Sequence, residues 1–147
     1  QLVVNAIKLN EDMISYDGEV NLLEGTDDFF EAIWMHKYKG NYYLSYVGKS
    51  GEIKYCIGED PLGPFEYKGV ILPKMNSGTN HHSIVEYKGQ WYMFYHNSNL
   101  YYKNHPEAEE KFGWGHPDSP HPFRRSICFD KLYYNSDGTI QQVVPTE

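Results

Sequence analysis

Nine positions of this chain recur at a fixed spacing. Tyr38-Lys39-Gly40-Asn41-Tyr42-Tyr43-Leu44-Ser45-Tyr46 aligns with Tyr87-Lys88-Gly89-Gln90-Trp91-Tyr92-Met93-Phe94-Tyr95, 49 residues later. A period near 50 with about four strands per unit is the signature of a β-propeller blade, whereas solenoid repeats are shorter or helical. A propeller closes with roughly four to eight blades, and 147 residues supply about three units. The expected division is therefore the end of one blade over residues 1–23, a blade over 29–72, and a final blade over 80–145. An open propeller exposes strand edges and half a core, so earlier blades or a partner chain are expected to complete it.

Local patterning agrees with an all-β class. Segments of aromatic and β-branched residues bounded by Gly, Pro, Asn and Asp run from end to end, and none keeps a helical period for three turns. Strands are expected at Leu2 to Leu9, Met13 to Leu23, Phe30 to Tyr38, Tyr42 to Val47, Ile53 to Gly58, Phe65 to Leu72, His82 to Tyr87, Trp91 to His96 and Arg125 to Tyr133. Lys39-Gly40-Asn41 and Lys88-Gly89-Gln90 have hairpin-turn chemistry. The sequence from Tyr133 to Ile140 reads as a further turn into a last strand. Residues 97–123 form a long loop with four prolines and two glycines, a length associated with function or disorder.

Composition narrows the function classes. The 14 Tyr, 7 Phe and 3 Trp suit pleated strands and also supply flat faces for stacking on sugars. A formal charge of −7 with scattered Lys and Arg argues against nucleic-acid backbones and polyanionic substrates. No apolar run approaches the roughly 18 residues that a membrane span requires, and Gln1 onward lacks a basic-then-apolar leader. Cys56 and Cys128 are too few for a disulfide scaffold and read as buried free thiols.

The repeat also locates the chemistry. The 49-residue offset sets Glu31 opposite Asn80, with His81 next along the chain. Both fall at the start of a blade's first strand, and such strands line a propeller's central channel, where a ligand site forms. Glu31 lies between Phe29-Phe30 and Ala32-Ile33-Trp34, and desolvation there should raise its proton affinity, as a general acid requires. Residue chemistry alone leaves this reading level with that of an exposed carboxylate at a strand entrance. The His81-His82 pair reads first as packed, hydrogen-bonded imidazole, because no Cys or His pairs recur at zinc spacings.

A family resemblance separates the readings. Phe29-Phe30-Glu31-Ala32-Ile33-Trp34-Met35-His36-Lys37 followed by Gly40-Asn41-Tyr42-Tyr43-Leu44-Ser45-Tyr46 resembles the general-acid blade of glycoside hydrolase family 43. Asp60-Pro61-Leu62-Gly63-Pro64-Phe65, Gly78-Thr79-Asn80-His81-His82-Ser83-Ile84 and Arg124-Arg125-Ser126-Ile127-Cys128 resemble its later signatures in the same order. The resemblance implies a five-bladed propeller and hydrolysis with inversion, using a general base, an orienting carboxylate and a general acid. Glu31 matches the acid. The two aspartates belong to earlier blades, and Asp12, Asp17, Asp27 and Asp28 fit neither motif.

Within the long loop, Trp114, Tyr101 and Tyr102 are candidate sugar-stacking platforms, with packing on their own loop as the equal alternative, and Phe30 beside the acid is a further candidate substrate-binding residue. The resemblance also makes Arg125 and His81 candidate substrate-binding residues. It places His81 beside a calcium ion, reached through water, because calcium prefers oxygen ligands. The implied substrates are arabinoxylan, arabinan or xylo-oligosaccharide, cleaved by an α-L-arabinofuranosidase or β-xylosidase, with a secreted or periplasmic setting favoured by the family and a cytoplasmic one left open. Without a matched base the 147 residues alone are expected to be inactive. A non-catalytic carbohydrate-binding propeller fragment is the alternative, and a β-rich interaction domain with a purely structural repeat is a third reading.

Overall fold

The computed structural model describes residues 2–78, 80–106 and 124–146. Its strands form three antiparallel sheets taken in chain order. A two-stranded ribbon pairs β1 (Asn5–Leu9) with β2 (Tyr16–Leu22). A four-stranded meander follows, made of β3 (Phe29–Tyr38), β4 (Asn41–Gly48), β5 (Ile53–Gly58) and β6 (Glu66–Leu72). The third sheet joins β7 (Ser83–Tyr87), β8 (Gln90–Asn97) and, after the short helix α1 (Asn99–Asn104), β9 (Ser126–Leu132).

The sequence repeat is a structural one. Tyr38 pairs with Asn41 and Met35 with Leu44, while Tyr87 pairs with Gln90 and Ile84 with Met93, which is the same register 49 residues on. The turns explain why. Lys39 (φ 47°) with Gly40 (φ 92°), and Lys88 (φ 51°) with Gly89 (φ 80°), place two consecutive residues in the left-handed region, the geometry of the two-residue hairpin turn that matches strand twist.

Alternation along β4 gives the middle sheet two dry faces. Tyr43 and Val47 join Tyr55, Ile53, Ile71 and Leu72 in a core shared with Ile84, Met93, Tyr95 and Leu132 of the third sheet. Leu44 and Tyr46 turn the other way and pack with Cys56, Phe29 and Phe65 against Val4 and Leu23 beside the ribbon. Burying each such side chain contributes about 1.5–3 kcal/mol. The third sheet is dry on one face only, since Phe94, Ile127 and Phe129 lie exposed on the other.

Several elements differ from the sequence expectation. The first strand begins at Asn5 rather than Leu2, and the second at Tyr16 rather than Met13. Asp12 Oδ1 accepts the amides of Ile14 and Ser15 at 3.0 and 2.9 Å, so these residues close a turn instead of pairing. Helix α1 occupies the start of the segment read as loop, while residues 107–123, Trp114 among them, lie outside the described residues. The turn after Tyr134 forms, but its return leg makes a single bridge, Tyr134 to Ile140, instead of a strand. The chain then crosses to the middle sheet: Ile140 N donates to Tyr55 Oη at 2.9 Å and Val143 N to Ile71 O at 2.8 Å. Cys56 and Cys128 are free, the first buried and the second partly so.

Candidate functional site

The entrance of β3 is irregular. The β3–β4 register shifts on both sides of Glu31, and Ala32 has a φ of 58°. Bulges bend a strand and re-aim its side chains. Beyond the bulge, Trp34 Nε1 donates to Ile84 O at 3.0 Å, which ties β3 to β7 and sets residues 80–82 against the start of β3.

Glu31 Oε1 lies 3.6 Å from His81 Nε2, a charge-pairing distance too long for a good hydrogen bond. That oxygen is sealed from solvent and has no hydrogen-bond partner, although the Glu31 side chain is 34% exposed and that of His81 56%. His81 is held through its backbone, its N–H donating to His96 Nε2 at 3.1 Å. An accepting Nε2 puts the proton of a neutral imidazole on Nδ1, which then donates to Ser77 Oγ at 3.2 Å. Asn80, almost fully buried, accepts the His96 amide on Oδ1 at 3.3 Å.

His82 faces the opposite way, into the seam between the sheets. Ser45 lies on the same side of β4 as Tyr43 and Val47, so its hydroxyl is enclosed by apolar neighbours and needs a partner. His82 Nε2 meets it at 2.6 Å. Burial, reinforced by His81 and His36, lowers the His82 pKa to about 3. His36 stacks on Tyr43 with ring centres 5.0 Å apart, meets Tyr134 Oη at 2.7 Å, and is lowered to about 4 by burial. These two imidazoles are neutral structural parts of the seam.

The remaining candidates separate. Phe30, 39% exposed, lines a cavity of about 270 Å³ that also reaches Asn80. Arg125 lines a different cavity of about 400 Å³, with Tyr101, His105 and Arg124, and Glu31 is not part of its wall. Tyr101 is engaged by its own surroundings, stacked on His105 at 4.5 Å with Arg124 over its ring at 5.6 Å. Of the site residues read from the sequence, the structure brings Glu31 and His81 within 3.6 Å, while Phe30 and Arg125 line two different cavities. Calcium takes six to eight oxygen ligands, whereas Glu31 and His81 offer one carboxylate and one imidazole. Among the described residues no group of three or more His, Cys, Asp or Glu stands together, so Glu31 and His81 do not by themselves form a direct protein cage for calcium, and contact through water is the mode left to His81.

Sequence reading missed His96 and Ser45. The signal was present: the repeat holds through Tyr46 and Tyr95, then sets Val47 against His96. Inside the repeat, Ser45 stands against Phe94, a second place where the blades differ in chemistry.

The family description "Glycosyl hydrolases family 43" matches residues 3–140. The chain belongs to glycosyl hydrolase family 43. Family 43 relatives include a β-xylosidase of Xylanibacter ruminicola, 41% identical over 116 residues, covering 78% of this chain and 31% of the relative. A xylosidase/arabinosidase of Bacteroides ovatus is 35% identical over 147 residues, covering 90% of this chain and 40% of the relative. Among solved structures, a family 43 β-xylosidase/α-arabinofuranosidase from a compost microbial metagenome, in complex with xylotriose and in a calcium-free form, superposes with a TM-score of 0.74 at 38% identity. It covers 94% of this chain and 42% of that one. An α-L-arabinofuranosidase of Clostridium thermocellum gives a TM-score of 0.74 at 42% identity, covering 97% of this chain and 45% of that one. The chain therefore spans less than half the length of these family 43 proteins, and its fold is part of a propeller.

Proposed function

We propose that this chain is the general-acid portion of an inverting family 43 glycosidase acting on pentose-containing polysaccharide, of the β-xylosidase or α-L-arabinofuranosidase type. The observation that carries the reading is Glu31 at a bulge of β3, beside the left-handed Ala32, with one carboxyl oxygen sealed against His81 and the side chain still one-third open. In this role Glu31 gives its proton to the glycosidic oxygen as the bond from that oxygen to the anomeric carbon breaks. Water attacks the opposite face of the carbon and loses its proton to a base roughly 6.5–9.5 Å from the acid. His81 keeps the carboxyl aimed, and His96 keeps His81 in place. Phe30 offers an apolar face next to the acid, and Arg125 offers a cation to sugar hydroxyls from the cavity it lines. A calcium ion beside His81 would be held through water, and the proton transfer from Glu31 does not pass through it.

Among the described residues Glu31 has no second carboxylate within ion-pairing reach of the same histidine. That observation favours a second reading for the 147 residues by themselves, sugar binding without hydrolysis, since no base activates the water. The test is an assay of this chain on aryl xylosides and aryl arabinofuranosides beside a xylo-oligosaccharide binding titration. Binding without turnover is expected, and clear turnover by the chain alone would overturn the division of roles.

A further inference from the structure

The cavity beside Phe30 does not include Glu31 in its wall and has its own chemistry. Its walls are the β4–β5 turn, the β6–β7 connection and the Phe30 ring, with Lys49, Ser50, Lys74, Ser77 and Asn80 supplying the polar groups. The turn is pinned by Gly48 N to Glu52 O at 2.9 Å, Gly51 N to Gly48 O at 2.9 Å and Lys49 N to Asp28 O at 3.2 Å. Lys74 lies across it, since a methyl group added at Gly51 would come within 3.3 Å of the Lys74 stem. The enclosure is therefore built by the fold.

Its charge is set by a competition. Asp28 is held by Lys54 at 2.6 Å and reaches Lys49 at only 3.9 Å, while Glu52 is taken by the same Lys54 at 3.1 Å. Both carboxylates are thus committed to the better-buried Lys54. Lys49 keeps a long, exposed contact, and among the described residues Lys74 has no anionic partner. Asn80, almost fully buried, also lines the cavity. Two ammonium groups, hydroxyls and one aromatic face suit an anion carried on a sugar ring. A volume of about 270 Å³ falls just below the usual range for drug-sized ligands and suits a single ring.

We propose that this cavity binds a carboxylate-bearing sugar, a uronosyl unit of the polysaccharide, with Phe30 under the ring and Lys49 and Lys74 on the carboxylate. The chain's net negative charge excludes long polyanions, but it does not exclude one carboxylate at a local cationic pocket. The proposal rests on the reading of the chain as sugar-binding, yet binding here does not use Glu31, so the two stand or fall separately.

The experiment titrates the 147-residue chain with glucuronate, glucose and inorganic phosphate, followed by NMR shifts of residues 48–51 and 74–78. Glucuronate is expected to bind about tenfold more tightly than either, because a charge-assisted bond to the carboxylate and stacking of the ring act together. The K49M/K74M double variant should lose that preference with its melting temperature unchanged, and Glu31→Gln should leave it intact. Glucose binding as well as glucuronate, or phosphate binding as well as glucuronate, overturns the assignment. So does glucuronate preference surviving in the double variant, or shifts confined to other residues.

Discussion

Two glycines with similar backbone angles do different jobs, and the difference is measurable. Gly25 (φ 85°) sits where an added Cβ would fall 1.7 Å from Phe65 O, at a crossing fixed by Phe65 N donating to Glu24 O at 3.2 Å. Gly40 (φ 92°) has nothing within 4 Å of the same position. Gly40→Ala should cost only the left-handed backbone, about 1 kcal/mol, whereas Gly25→Ala adds a backbone collision and should cost about 3 kcal/mol or more. Urea unfolding of the two variants checks this, and equal losses would refute it. Gly40 was legible, because Lys-Gly between two aromatic runs is a hairpin signal. Gly25 was not, because its constraint comes from a residue 40 positions away. Ser45 and His96 were hidden for the same reason: their partners, His82 for Ser45 and Ser77, Asn80 and His81 for His96, lie in the connection between β6 and β7, and only the break in the repeat hints at them.

Among the elements, β3 carries the account because its irregularity aims Glu31. Ala32 tolerates a φ of 58°, but a β-branched side chain there is a genuine outlier. Ala32→Val should destabilise by about 1–3 kcal/mol, while Ala32→Gly should stay within about 0.5 kcal/mol of the parent. Thermal unfolding distinguishes them, and an unperturbed Val variant would remove the bulge from the explanation. The hairpins and their register could be read from the sequence because period-two alternation and turn residues are local. The bulge could not, since Ala is an ordinary strand residue by composition. Helix α1 escaped for lack of length: six residues are too few to show a period. The last segment was misread as a strand because apolar Ile140 and Val143 serve the inter-sheet core from irregular backbone.

The whole molecule is held by the seam between the middle and third sheets, and that seam contains two imidazoles that must stay neutral. His36 is lowered to about 4 and His82 to about 3, both from 6.5, chiefly by burial. A depressed folded pKa means the unfolded chain binds more protons between these values. Stability is therefore fully present above about pH 6.5 and is lost as pH falls toward 4. Each imidazole contributes a slope of about 1.4 kcal/mol per pH unit in that window. Denaturation from pH 7 to 4.5 should show the combined slope, and His36→Gln should remove about half of it. A flat profile would mean that the seam admits water. Propeller architecture was legible at this scale, because a 49-residue repeat admits few other folds. The cavity that Arg125 lines was not, because its wall joins α1 to the start of β9, residues distant in the sequence.

The central claim, that Glu31 donates the proton to the departing sugar oxygen, is tested most directly by leaving-group dependence. In the complete polypeptide, Glu31→Gln keeps the shape of the carboxyl and removes its proton. Turnover of xylobiose, whose leaving group needs protonation, should fall by about 10²–10⁴-fold, while an aryl xyloside with an acidic phenol should lose far less. An equal loss on both substrates would contradict the acid role of Glu31.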